Sequence, residues 1–225
     1  MNLIDQSLGQ LARQIPGATQ VFHLHGLDFC CGGNQSLKSA VEAAGLPPAP
    51  ILDALATLAA RQAEAGVPDW NAASPTDLIE HILARYHAVH REQLPELIRL
   101  AHRVEQVHGD REECPLGLAD LLTGMHQALE SHMHKEESIL FPMIARGHGA
   151  MADGPIAVMR KEHDDHGEAL HQLEALTGGV TTPRGACTTW RALYTGLRTF
   201  REDLMTHIHL ENNILFERFC PQARH

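Results

Sequence analysis

The amino-acid sequence predicts an all-α protein in which a small helical domain precedes a four-helix bundle. Three observations carry that prediction. Ala, Leu, Glu, Gln and Arg dominate and β-branched residues form few runs, which favours helix. Glycine and proline gather at points that punctuate the chain. Beyond residue 74, apolar residues recur in alternating steps of four and three along four long stretches, the period of a helix with one buried face.

The segment from Leu3 to about Arg61 reads as four short helices, separated at Ile15-Pro16, at Cys30-Cys31-Gly32-Gly33 and at Leu46-Pro47-Pro48. Residues 1–62 are thus expected to form the small domain. Residues 63–73, with Gly66, Pro68 and Asn71 and no apolar period, read as a linker. The bundle is expected over 74–225. Ser74-Pro75-Thr76-Asp77 opens its first helix, because the serine can cap free amides and proline is tolerated at the first helical position. The core stripe of that helix runs Ile79, Leu83, His87, His90, Leu94, Leu97, Ala101, Val104, His108, with Pro95 expected to kink or break it by removing the bond to Arg91. The second helix gives Leu118, Leu122, Met125, Leu129, His132, Glu136, Ile139, Met143, its end bent at Pro142. The third, opened by Gly154-Pro155 and closed before Gly178-Gly179, gives Ile156, Met159, His163, His166, Leu170, Leu173. The fourth gives Trp190, Leu193, Leu197, Phe200, Leu204, His207, Glu211, Ile214.

Composition narrows the function. A formal net charge of -10 disfavours nucleic acid as a partner, since phosphate binding needs clustered Lys and Arg. No apolar run approaches the roughly 18 residues of a membrane span, so no membrane partner is expected. Met1 to Gln10 carry Asp5 and no basic stretch leading into an apolar core, so no secretory signal is read and the cytoplasm is the expected compartment. Five cysteines, two of them adjacent, make a poor disulfide framework. Seventeen histidines against 4% aromatics turn attention to metal.

The sharpest feature is an internal repeat. His132-x3-Glu136-x2-Ile139-Leu140-Phe141 and His207-x3-Glu211-x2-Ile214-Leu215-Phe216 share one pattern. Helical residues four apart lie a turn apart on one face, so each copy aims an imidazole and a carboxylate at the bundle axis. Carboxylates on an apolar seam need a counter-charge, and a metal cation supplies it. His87 and His163, from the other two helices, complete the ring. Four imidazoles and two carboxylates exceed a closed tetrahedral zinc site and include no thiolate, so two ions fit the count. Glu136 and Glu211 can bridge them, and the nitrogen and oxygen donors suit iron or manganese, iron being preferred here. Such a centre leaves room for a bridging oxygen, oxo or hydroxo, or for dioxygen or nitric oxide. His108 lies 21 residues past His87, about 30 Å along an unbroken helix, and joins the site only if the chain reverses near Pro95. His90 and His166 are assigned supporting or core roles. The other histidines, His23 and His209 among them, are read as solvated or locally bonded.

These residues resemble hemerythrin-like domains, in which an antiparallel four-helix bundle holds two irons. The chain resembles more closely the repair of iron centres family, over essentially its whole length. Asp28-Phe29-Cys30-Cys31-Gly32-Gly33-Asn34-Gln35-Ser36-Leu37 is similar to the motif of that family's N-terminal domain, and Tyr86-His87-x2-His90-Arg91-Glu92-Gln93-Leu94-Pro95 to a segment of its bundle. The resemblance implies two non-haem irons, with His87, His132, His163 and His207 as terminal ligands and Glu136 and Glu211 as bridges. It also implies repair of iron-sulfur clusters after oxidative or nitrosative damage, with damaged iron-sulfur proteins as partners. Relative to oxygen-carrying hemerythrins, Met159 and Gly167 stand where a His-x3-His pair with His163 would need a second imidazole, which speaks against reversible oxygen carriage.

Cys30 and Cys31 are the expected reactive thiols, ahead of a helix from Ser36 whose N-terminus would favour thiolate. Adjacent cysteines suit a transient landing point for iron, a cluster or a nitrosyl better than a disulfide. Cys114, Cys187 and Cys220 lack metal-like spacing. The competing functions are a nitric oxide or oxygen reductase and a gas or iron sensor; a homodimer is compatible with the sequence but not required by it.

Overall fold

The computed structural model describes residues 3–15, 17–29, 33–62 and 69–220, helices and their connections with an isolated antiparallel bridge between Ser7 and Ser36. Among the described residues the short N-terminal helices are α1 (Leu8–Gln14), α2 (Ala18–Leu24), α3 (Leu37–Ala43) and α4 (Pro48–Gln62). Ser7 caps α1 by accepting from the Gln10 amide at 3.2 Å, while the Gln10 side chain accepts from the Ser7 amide at 3.3 Å. Ser36 caps α3 by accepting from the Ser39 amide at 3.1 Å. The two capped starts are tied together: Leu8 N donates to Gln35 O, Leu37 N to Gln6 O and Gly9 N to Gly33 O, at 2.8–2.9 Å. Gly9 is required there, since a Cβ would meet Asn213 Oδ1 at 2.6 Å and Gly33 O at 3.1 Å. Gly9→Ala is expected to cost about 1–3 kcal/mol by overpacking, read as a lower urea midpoint with unchanged m.

Four long helices form the bundle. The first, α5, runs Pro75–Ile82, a turn Leu83–His87 and Ala88–His108. Next, α6 runs Leu118–Lys135, a turn Glu136–Leu140 and Phe141–Ala145; α7 is Asp153–Thr177; α8 runs Thr188–Leu210 and a turn Glu211–Leu215. Ser74 accepts from the Asp77 amide at 3.1 Å, so the expected cap opens α5. The helix continues through Pro95 without breaking. Gly178 adopts φ 59° and Gly179 N bonds Glu174 O at 2.8 Å, closing α7. Helix α5 packs between α6 and α8, and α7 completes the ring against α6 and α8.

The three interpolated turns are π turns, with i→i+5 bonds from Ala88, Phe141 and Phe216 to Leu83, Glu136 and Glu211. Each adds a residue to one turn and rotates the helix beyond it. This corrects three expected core positions: Ile139 is 55% exposed, Leu83 and Met143 are half-buried, and Ile82, Leu140 and Ile144 are buried instead.

The apolar interior has two parts. One joins the short helices, from Leu8 to Leu55, to the bundle from Leu94, Leu118, Leu170 and Trp190 onward. The other holds Leu78, Ile82, Leu140, Ile156 and Phe216 at the opposite end. The short helices therefore share a core with the bundle. Trp70, in the described part of the expected linker, packs against the second part and stacks on His81 at 4.2 Å. No helix among the described residues is long and apolar enough to cross a membrane.

Candidate metal centre

Between the two apolar parts lies a polar layer. His87, His132, Glu136, His163, His207 and Glu211 occupy it, each 0–1% exposed, so all six sequence-predicted ligands come together. Their ligand atoms form two sets, His87, Glu136, His207 and Glu211, and His132, Glu136, His163 and Glu211, each lying within 4.8 Å of one another. Both sets share the same two carboxylates. Two of the π turns begin on Glu136 and Glu211 and the third ends on His87, placing irregular backbone at the ligands, as π turns often do at functional sites.

The imidazoles are oriented from behind. His87 Nδ1 lies 2.8 Å from Glu137, which also accepts from Arg91 at 2.9 Å. His132 Nδ1 lies 2.9 Å from Glu162, which pairs with Lys135. His163 Nδ1 lies 2.9 Å from Asn212 Oδ1. Acceptors at Nδ1 fix the proton there and leave the Nε2 lone pair facing inward, the arrangement of ligating histidines. His207 is held instead by Tyr86, stacked 5.5 Å away with 6° between planes. Phe141 lies 5.8 Å from His87, and Phe216 stacks on His163 at 5.9 Å, so each repeat's final Phe packs against a histidine of another helix.

The carboxylates fit a cation pair. Neither Glu136 oxygen has a hydrogen-bond donor among the described residues; His87 and His132 Nε2 stand 3.4 Å away. Burial and then the neighbouring Glu211 push the Glu136 carboxyl well above its usual range. Burial opposes charge on Glu211 as well, but His207 and His163, both at 3.0 Å, hold it well below that range. Inward-facing nitrogens 3.1–3.2 Å apart, His87 to His207 and His132 to His163, cannot all carry protons. Two cations between these sets would satisfy both carboxylates and all four nitrogens at once.

The remaining predicted residues divide. Cys30 and Cys31 lie outside the described residues. The flanks of that pair are described: Phe29 is buried, with its ring 5.8 Å from His209, and Phe29 O accepts from Asn213 at 3.3 Å. Asn213 O in turn accepts from Arg13 at 2.9 Å. Phe29, the residue before the pair, is thus anchored two residues from Glu211. His209 is buried, not solvated, and bonds Asn213 at 3.1 Å; burial, then Arg13, lowers it to about 3. His23 meets Arg201 at 2.6 Å. His108 contacts Cys187 Sγ at 3.2 Å and Trp190, far from the ligands. His90 and His166 are buried beside His207 and His132, with ring centroids 5.4 and 5.1 Å away.

Glu137, Glu162 and Asn212 hold the candidate-ligand imidazoles from behind, and spacing alone does not reveal them. Each adjoins a ligand in sequence, and a polar neighbour of a helical ligand, about 100° round the axis, is the signal that finds them. Glu137→Ala is expected to weaken metal binding about 10–100-fold, measured by competition with a chromophoric chelator.

Residues 78–219 match the family described as Hemerythrin HHE cation binding domain. Residues 4–59 match a Domain of Unknown function (DUF542). The chain is 53% identical over 218 residues to the iron-sulfur cluster repair protein YtfE of Dickeya chrysanthemi (strain Ech1591), covering 97% of this chain and 98% of that one. Proteins of the same name from Yersinia pseudotuberculosis (serotype O:3, strain YPIII) and Yersinia pestis (strain Pestoides F) are 54% and 53% identical over 220 residues, with the same coverage.

Proposed function

We propose a function from the premise that this chain belongs to the hemerythrin-domain family of iron-sulfur cluster repair proteins: it mends clusters damaged by oxidative or nitrosative stress by supplying iron from a buried pair. The observation that carries the reading is the sharing of Glu136 and Glu211 by two buried four-residue sets. His87 and His207 would terminate one iron, His132 and His163 the other, and the carboxylates would bridge them with an oxo or hydroxo group. When bound, the pair supplies exchangeable iron and a redox couple. The protein supplies oriented imidazoles, paired carboxylates and a dry surrounding.

In this reading residues 74–225 hold the iron and residues 1–62 present Cys30 and Cys31 to a damaged iron-sulfur protein. Support comes from the anchoring of Phe29 to Asn213 beside Glu211, which ties the thiol segment to a bridging ligand's turn. The names of the relatives favour repair over a nitric oxide or oxygen reductase or a sensor.

The test is anaerobic iron transfer from the loaded protein to an apo-iron-sulfur acceptor, followed by recovery of the acceptor's activity. Cys30→Ala with Cys31→Ala is expected to leave about two irons per chain in place and to slow transfer. Loss of iron in the cysteine variant, or zinc in place of iron in the native protein, would overturn the assignment. Multiple turnovers of nitric oxide with an electron donor, without iron loss, would support the reductase instead.

A further inference from the structure

A series of rings runs outward from the ligand His207. Tyr86 stacks on His207, 6° off parallel with centroids 5.5 Å apart; His81 meets Tyr86 edge-on at 5.6 Å; Trp70 stacks on His81 at 4.2 Å. The backbone arranges this. Residues five apart on a regular α-helix stand about 140° apart round the axis, and the extra residue in the π turn Leu83–His87 brings His81 and Tyr86 together instead. Trp70 is held by Arg218, which donates to Trp70 O at 2.6 Å and to Ala73 O at 2.8 Å, and Asn71 beside it donates to Arg13 O at 2.8 Å. Tyr86 is held by Arg85, whose guanidinium lies 5.0 Å from the ring centroid and bonds Asp203 at 2.6 Å.

Burial falls along the series. His207 is 1% and Tyr86 6% exposed, while His81 and Trp70 are half-buried. A cleft of about 180 Å³ is bounded by Asp69, Trp70 and Asn71 and reaches Tyr86. Among the described residues the other ring contacts of the four histidines stay inside: they end on Phe141, on Phe216, on Phe200 by way of His90, and on His166, all 0–5% exposed. Rings in contact couple electronically better than saturated side chains do, so this series is the path along which an electron crosses most readily from the surface to the polar layer.

We propose that Trp70, His81 and Tyr86 relay electrons to the metal pair through His207, with Trp70 the entry point for an external one-electron donor. This rests on the reading of the polar layer as the site of an iron pair. Each donor is oxidised by one electron, and that electron reduces one ferric ion to ferrous; two donors reduce the pair. The three side chains keep their bonds and their protons, bind no metal, and transfer no group.

The experiment mixes the full-length protein, its iron oxidised to the ferric state, anaerobically with the methyl viologen radical cation, a planar one-electron donor whose blue colour fades as it is spent. Rates are taken per iron bound. Trp70→Leu and His81→Leu, whose native rings meet none of the six ligands, are expected to slow the reaction at least about tenfold, with iron content and the ferric absorption spectrum unchanged. Tyr86→Leu is expected to slow it as well, and Tyr86→Phe, which keeps a ring against His207, to restore most of the rate. Trp190→Phe, in the other apolar part, is expected to keep the native rate. Native rates in both Trp70→Leu and His81→Leu with iron intact would overturn the relay and leave the iron pair standing, as would equal slowing by Tyr86→Leu and Tyr86→Phe. A native protein holding no ion that the radical reduces would defeat the reading of the layer as an iron site, and the relay with it.

Discussion

Glu136→Leu is expected to abolish binding of the metal pair while making the metal-free protein more stable than the native metal-free protein. The two effects share a cause. Glu136 is fully buried, neither oxygen has a donor among the described residues, and Glu211 lies within the same 4.8 Å set. Without cations the chain has to bury a carboxyl group beside another with nothing to offset it. Replacing such a group by a residue of similar volume stabilises proteins by about 1–4 kcal/mol, and Leu140 and Phe141 already make that neighbourhood apolar. For a chain of this size each kcal/mol moves the Tm by about 2–4 °C, so the metal-free variant should melt several degrees higher. Glu211→Leu should also lose the pair but destabilise the metal-free protein, because His207 loses its acceptor at 3.0 Å. Calorimetry with metal analysis of both variants decides it: two retained ions, or thermal shifts of the same sign, would refute the bridging assignment.

The pairing of the candidate ligands is readable from the sequence because it depends on short-range spacing. His132 and Glu136, and His207 and Glu211, sit four apart, each histidine in the α-helical stretch that precedes a π turn, so the face they share is set by local geometry. The residues after each carboxylate are not readable in the same way. A run such as Glu-x2-Ile-Leu-Phe fits an α or a π turn equally well, and the choice is made by packing: the π turn turns Leu140 and Phe141 inward and leaves Ile139 in solvent. A constant helical period therefore misplaces Ile139, Leu83 and Met143 for one reason. The outer partners escape it for another. Glu137, Glu162 and Asn212 reach histidines 50, 30 and 49 residues away, contacts that exist only once the helices are aligned. His209 belongs with them, since its burial depends on Phe29 being brought against it from the N-terminal segment.

The position of that segment joins the two halves of the molecule. Arg13 and Phe29 both bond Asn213, a Cβ on Gly9 would meet the Asn213 side chain at 2.6 Å, and a Cβ on Gly33 would meet Phe29 O at 2.6 Å. Asn213 lies within the π turn that starts at Glu211, so Glu211 and the anchor of Phe29 share one short piece of backbone. The connection needs no long pathway through the core.

Removing the metals is expected to lower the Tm by about 8–16 °C, from about 4 kcal/mol of linkage when free metal stands a thousandfold above Kd. The loss should be uneven. The apolar part around Trp190, Leu193 and Leu118 is complete without metal, and the end of α5 at His108 rests on Trp190 and Cys187. The polar layer is not: its carboxylates lose their counter-charge, and the turns Glu136–Leu140 and Glu211–Leu215 are the backbone that carries them. Amide exchange should therefore quicken first in those turns and in the backbone around Phe29 and Gly33, while the amides of Leu193 to Leu197 stay protected to near the global limit. Equal acceleration throughout the bundle would mean that the metal layer is not a separate cooperative unit. An unchanged melting temperature after complete removal would mean that the six buried ligands are held by the fold alone, with no stabilisation drawn from the ions.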